Sequence, residues 1–179
     1  LNQGRFSIAR FYDRRARRIL PALFAVITAS VVAGWFLLTP AKYAQLGESI
    51  LAALFFISNF WFWQNSGGYF AGPTDYLPLL HTWSLAVEEQ FYIFFPILLL
   101  VMHRVARRWL VPAVLAMVVG SLILATWATP RMPSAAFYLL PTRIWELAVG
   151  ALLALGLVPA NANKNIREAA AALGLIAVL

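Results

Sequence analysis

The sequence predicts an all-α fold, a polytopic bundle of transmembrane helices, and three observations predict it. Hydrophobic residues make up 62% of the 179 and charged residues only 12%, with a mean hydropathy of +0.76, far from the balance of a water-soluble domain. The apolar residues fall in uncharged runs long enough to cross a bilayer core of about 30 Å. The basic residues stand in short clusters between those runs, which is how membrane orientation is encoded. That clustering also accounts for the net charge of +7 without nucleic acid as a partner. The chain has no cysteine, so it holds no disulfide or thiolate metal site, and no metal is expected.

The first span is Ile19 to Leu38, uncharged, with Pro21 in its opening turn, where a missing N–H is tolerated. The second is Thr82 to Met102, with Glu88 and Glu89 near its start and a kink expected at Pro96. The third, Trp109 to Trp127, carries an aromatic anchor at each end. The fourth, Thr142 to Val158, is short, contains Glu146 and is closed by Pro159. A fifth begins after the polar stretch Asn161 to Glu168 and runs apolar into the terminus. With Leu1 at the start, both ends read as truncations of a single transmembrane domain that includes residues 1–179.

Tyr43 to Trp63 is long enough to span, yet it sets Gln45, Glu48 and Ser49 on one helical face. Charge decides its reading. If it does not cross, 11 of the 14 basic residues lie on one side, leaving only Lys42, Arg131 and Arg143 opposite. If it crosses, the split falls to 8 against 6, and the bias that orients membrane proteins disappears. The segment is therefore expected to be re-entrant or interfacial. The fold expected is about four spans, a truncated fifth and this one dipping segment.

Arg14, Arg15, Arg17 and Arg18 lead into the first span behind Phe11 and Tyr12. They fit anchors on anionic lipid, or a clamp in which guanidinium forks hold the phosphates of a polyanion such as coenzyme A. At 100° per residue, His81, Ser84, Leu85, Glu88 and Tyr92 form one stripe, with Glu89 about 100° round from Glu88. Carboxylates inside a span are costly and normally face protein or a wet cavity; alternatively these two sit at the helix entrance and cap it or pair with an arginine. A Ser84–His81–Glu88 triad is disfavoured, because a regular helix offers no elbow and no oxyanion hole. Arg143 and Glu146 share a face of the fourth span and either pair with each other or reach across to Glu88 and Glu89. Convergence of His81, Glu88, Glu89, Arg143 and Glu146 at one membrane face is expected to make a polar pocket. Trp61, Trp63, Tyr69 and Phe70 beside Asn59, Gln64 and Asn65 suit interface anchoring or the stacking of a saccharide.

Four stretches carry a resemblance. They are Phe6-Ser7 with Phe11 through Ala22; Ser58-Asn59-Phe60; Tyr69-Phe70 with Pro78 through Tyr92; and Arg143-Ile144-Trp145-Glu146-Leu147. Together they resemble the membrane-bound acyltransferase type 3 family, which includes bacterial O-antigen acetylases. The resemblance implies a multi-pass protein of the bacterial inner membrane that moves an acyl group, usually acetyl from acetyl-CoA on the cytoplasmic side, to a hydroxyl of a glycan beyond the membrane. It assigns donor binding to Arg14, Arg15 and Arg18, with no bound cofactor. The resemblance also implies a catalytic histidine in a helix that would precede Leu1; His103, among Arg104, Arg107 and Arg108, does not occupy that place, and His81 belongs to another motif. Residues 1–179 alone are accordingly expected to be inactive. The topology places the donor-type arginines and the acids on opposite membrane faces. A transporter or flippase for a polar substrate is the alternative, since it too sets acids and arginines around a cavity.

Overall fold

The computed structural model of the protein describes residues 7–65, 77–154 and 168. All regular structure among them is helical: α1 Ile8–Leu37, α2 Pro40–Leu54, α3 Ser58–Asn65, α4 Thr82–Val105, α5 Leu110–Ala128, α6 Pro133–Tyr138 and α7 Ile144–Ala154. Single 3₁₀ turns at Arg107–Trp109 and Leu140–Thr142 lead into α5 and α7. Three stretches are long and apolar enough to cross a membrane: α1, α4, and α5 with the turn before it. The expected fifth span, Tyr69, Phe70 and the end of the fourth span beyond Ala154 lie outside the described residues.

α1 starts eleven residues before Ile19, with Arg10 N–H reaching the Ser7 hydroxyl at 3.4 Å and Phe11 N–H bonded to the Ser7 carbonyl at 3.0 Å. The four arginines are thus part of the helix, and Pro21 lies in its interior rather than in an opening turn. Pro21 removes the bond to the Arg17 carbonyl, yet α1 continues. α4 likewise runs unbroken through Pro96. The chain leaves α1 through extended Leu38 and re-enters helix at Pro40, whose fixed φ suits a first helical position. Gly34 lets α2 approach closely here, since a Cβ would lie 2.9 Å from Leu46 Cδ2.

The segment read as one dipping element, Tyr43 to Trp63, is two helices. α2 and α3 are about 22 and 12 Å long, so neither alone covers the bilayer core. The break is a Schellman motif: Ile57 N–H reaches the Ala52 carbonyl at 2.8 Å and Phe56 N–H the Ala53 carbonyl at 3.1 Å. Phe56 fills the left-handed position at φ 54° that glycine usually takes, at a cost of about 1 kcal/mol. Gln90 of α4 donates to the Phe56 carbonyl at 2.8 Å and holds the turn in place.

α3 is the wedge at the centre of the bundle. Ser58, Asn59 and Phe62 are fully buried, so their polar groups must be met internally. Ser58 Oγ donates to the Thr82 carbonyl at 2.9 Å, Asn59 Nδ2 to the Tyr138 carbonyl at 3.2 Å, and Gln90 Nε2 to Asn59 Oδ1 at 2.8 Å. One apolar cluster around Leu23, Ile27, Leu46, Phe62 and Leu79 joins α1, α2 and α3; a second around Phe91, Phe95, Val114, Ala148 and Leu152 joins α4, α5 and α7. On the α5–α7 seam Ser121 Oγ donates to the Pro141 carbonyl at 2.7 Å and accepts from Trp145 N–H at 3.1 Å, which fixes where α7 begins. Asn59→Ala strips α3 of its bond to α6 and leaves a Gln90 proton unmet; a loss of about 2 kcal/mol is expected, read as a lowered unfolding midpoint in detergent.

Candidate functional site

α4 separates two chambers, and its adjacent carboxylates serve one each. Seven residues into α4, Glu89 faces α1 and is 7% exposed. It meets Arg15 in a forked pair: Nε lies 2.7 Å from Oε1 and 3.0 Å from Oε2, and Nη2 lies 2.6 Å from Oε1. The Arg15 guanidinium also stacks on Tyr92, 3.4 Å from its ring centroid. One turn earlier on α1, Tyr12 Oη donates to the Ile93 carbonyl at 2.8 Å. Tyr12 against Ile93 and Arg15 against Glu89 describe antiparallel helices in register, since the position rises on α1 as it falls on α4. Beside the pair opens a groove of about 220 Å³, walled by Tyr12, Ala16, Ile19, Leu20, Phe56 and Ile93.

Glu88, about 100° round the helix, is exposed and turns toward α7. There Trp83, Ser84, Arg143, Glu146 and Leu147 complete a small cavity of about 60 Å³. Arg143 pairs within its own segment with Glu146 at 3.2 Å and lies 5.3 Å from the Trp83 ring centroid and 5.7 Å from that of Phe137.

Two expectations are corrected by this geometry. The five residues His81, Glu88, Glu89, Arg143 and Glu146 do not form one pocket, because the helical rotation that separates Glu88 from Glu89 sends them to different neighbours. His81 sits exposed ahead of α4, and its carbonyl, not its imidazole, receives the Ser84 hydroxyl at 3.1 Å, so no Ser–His pair exists. Arg15 and the acid Glu89 do not lie on opposite faces: they touch. The other donor-type arginines, Arg14 and Arg18, are exposed and have no ion-pair partner among the described residues; Arg17, which had no donor role, is held by Asp13 at 3.0 Å. Residues to which no role had been given, Tyr12, Phe56, Gln90 and Tyr92, complete the Arg15–Glu89 chamber. The readable signal was that Tyr12 and Arg15 on one helix, and Glu89 and Tyr92 on the other, are each three apart, so each pair shares a face.

Removing one member of a largely buried pair strands the other charge. Arg15→Ala or Glu89→Ala is expected to cost about 3 kcal/mol, with the double variant less destabilised than the sum of the two, measured by a thermal double-mutant cycle in detergent. Arg17→Ala, whose pair with Asp13 is exposed, is expected to change the midpoint little.

A family profile described as an acyltransferase domain matches residues 1–179. A Haemophilus influenzae protein without an assigned function is 32% identical over 163 residues, 87% of this chain and 66% of its own length. A Bacillus subtilis protein named "Putative peptidoglycan O-acetyltransferase" is 36% identical over 151 residues, 81% of this chain and 23% of its own length. A Staphylococcus aureus protein named "Putative O-acetyltransferase" is 30% identical over 155 residues, 84% of this chain and 25% of its own length. The chain thus spans just under two thirds of the first relative and about a quarter of the other two. No solved structure matches. The arginine-led α1 and acid-bearing α4 therefore stand on a chain whose whole length carries the profile: it belongs to the acyltransferase 3 family.

Proposed function

We propose that this chain is part of a membrane O-acyltransferase that moves an acyl group, acetyl foremost, from acyl-CoA at the cytoplasmic face of a bacterial inner membrane to a hydroxyl of a cell-surface glycan or lipid-linked saccharide. The observation that carries the reading is the Arg15–Glu89 pair, set in an apolar groove between two helices able to span a membrane. Stability alone does not require an ion pair at this place, since packed apolar groups stabilise at least as well, and ionisable groups within spans mark functional sites by default. The exposed Arg14 and Arg18 beside it, four residues apart on one face, offer charge-assisted hydrogen bonds to the donor's phosphates.

In the reaction the thioester C–S bond breaks and a C–O bond forms to the acceptor, while the hydroxyl proton passes to a base and from it to the departing thiolate, which leaves as the thiol. Glu89 is the carboxylate at the groove that handles that proton, directly or by orienting the histidine the family resemblance implies upstream. Its neighbour Glu88, exposed and sharing a cavity with Arg143 and Glu146, fits the acceptor side. The names of the Bacillus and Staphylococcus relatives support O-acetyl transfer as the reaction class.

Labelled acetyl-CoA supplied to membranes holding the full-length protein is expected to be consumed with release of CoA, which neither a transporter nor a scaffold would do. Glu89→Gln is expected to lower the rate by about 100-fold with insertion intact, and Glu88→Gln to lower it by less. Undiminished turnover in Glu89→Gln would remove this carboxylate from the chemistry.

A further inference from the structure

Four arginines crowd one turn and a half of α1, and the structure sorts them. Resting on the acyltransferase reading above, we propose that Arg15 is not a ligand of the donor's phosphates but a positioning residue for Glu89, and that phosphate binding falls to Arg14 and Arg18.

The edge and one face of the Arg15 guanidinium are already occupied. Its Nε hydrogen is shared between both Glu89 oxygens and Nη2 lies in ion-pair contact with Oε1, and the guanidinium carbon lies 3.4 Å from the Tyr92 ring centroid. A phosphate could take the Nε edge only by expelling a carboxylate that is 7% exposed and has no other ion-pair partner among the described residues, leaving a buried charge alone, and at the Nη1 edge it would meet a guanidinium whose charge Glu89 already neutralises. Arg14 and Arg18 carry no such obligation. Both are exposed, and their spacing of four places them side by side on the helix surface. A phosphate reaching α1 therefore meets these two first and at no cost to the packing.

The bonding pattern also fixes what Glu89 can do. The single Nε hydrogen is shared unequally, 2.7 Å from Oε1 and 3.0 Å from Oε2, and Nη2 stands 2.6 Å from Oε1 alone. Oε2 thus keeps the freer lone pair and is the oxygen available to a proton from the groove. The frame around it is stiff. The Tyr12–Ile93 bond pins α1 one turn away, and Gln90, next to Glu89, is bonded to the Phe56 carbonyl and Asn59 Oδ1, so this turn of α4 is held from α1, from the turn after α2 and from α3 together. A conserved charge without the fork would not reproduce that orientation, because an ammonium is a point charge and the guanidinium is planar.

The test uses the full-length protein in lipid nanodiscs, with acetyl-CoA as substrate and, for binding, a non-transferable acetyl-CoA analogue carrying a methylene in place of the sulfur. Arg15→Lys is expected to lower kcat by about 10-fold with donor KM unchanged, the signature of a group that acts only in the transition state. Arg15→Met/Glu89→Gln removes both charges at once and so retains the fold; it should bind the analogue within about threefold of the unmodified protein while kcat falls by about 100-fold. Arg14→Gln/Arg18→Gln should do the reverse, weakening the analogue by about 10-fold or more with kcat at saturating donor within about threefold. Loss of analogue binding in Arg15→Met/Glu89→Gln comparable to that in Arg14→Gln/Arg18→Gln would overturn the assignment. Analogue binding by an unmodified protein that consumes no acetyl-CoA would instead overturn the acyltransferase reading, and the positioning role with it.

Discussion

Charged groups among apolar helices persist only where each neutralises another at hydrogen-bonding distance, and Arg15 and Glu89 meet that condition through three contacts below 3.1 Å. Because the pair joins the second turn of α1 to the second turn of α4, it sets how far the two helices are offset along their axes. The Tyr12–Ile93 bond one turn away locks the same offset. The groove, the stacking on Tyr92 and the outward turn of Arg14 and Arg18 all follow from it, since a helix face that commits Arg15 inward presents its neighbours at positions 14 and 18 outward.

The second constraint is the turn at Phe56. A phenylalanine in a left-handed position is held there by the Schellman bonds and by Gln90, and its side chain helps to wall the groove beside Glu89. Glycine would relieve the backbone and remove the wall. The hydrogen-bonded set of Ser58, Asn59 and the half-buried Gln90 then ties this turn to the start of α4 and to the end of α6, so the chamber on the α1 side and the packing around Trp83 on the α7 side share one scaffold. Adjacent acids can hold different partners because that scaffold fixes the rotation of α4.

Helix existence was legible in the sequence because apolar run length is a property of the chain alone: the third span, Trp109 to Trp127, differs from α5 by a residue at either end. The rotation of 100° between Glu88 and Glu89 was legible too, but the expectation of one shared pocket did not follow it through to two different neighbours. The partner of Glu89 was not legible. Counting basic residues in loops orients a helix but says nothing of how far it slides along its neighbour, and that axial offset is what brings Arg15 to Glu89. The break at Phe55–Ile57 was hidden because the residue in the left-handed position is neither glycine nor asparagine, and Ser58-Asn59, outwardly a weak motif, gained meaning only when burial made its hydrogen bonds obligatory.

The offset of α1 against α4 can be measured directly, since the chain contains no cysteine to confuse the result. Cysteines placed at Tyr12 and Ile93 in the protein within native membranes should be joined rapidly by a short bifunctional thiol reagent, whereas cysteines at Tyr12 and Met102, about 13 Å farther along α4, should not. Joining of Tyr12 to Met102 with no joining of Tyr12 to Ile93 would move Arg15 about 13 Å away from Glu89 along α4 and contradict the account.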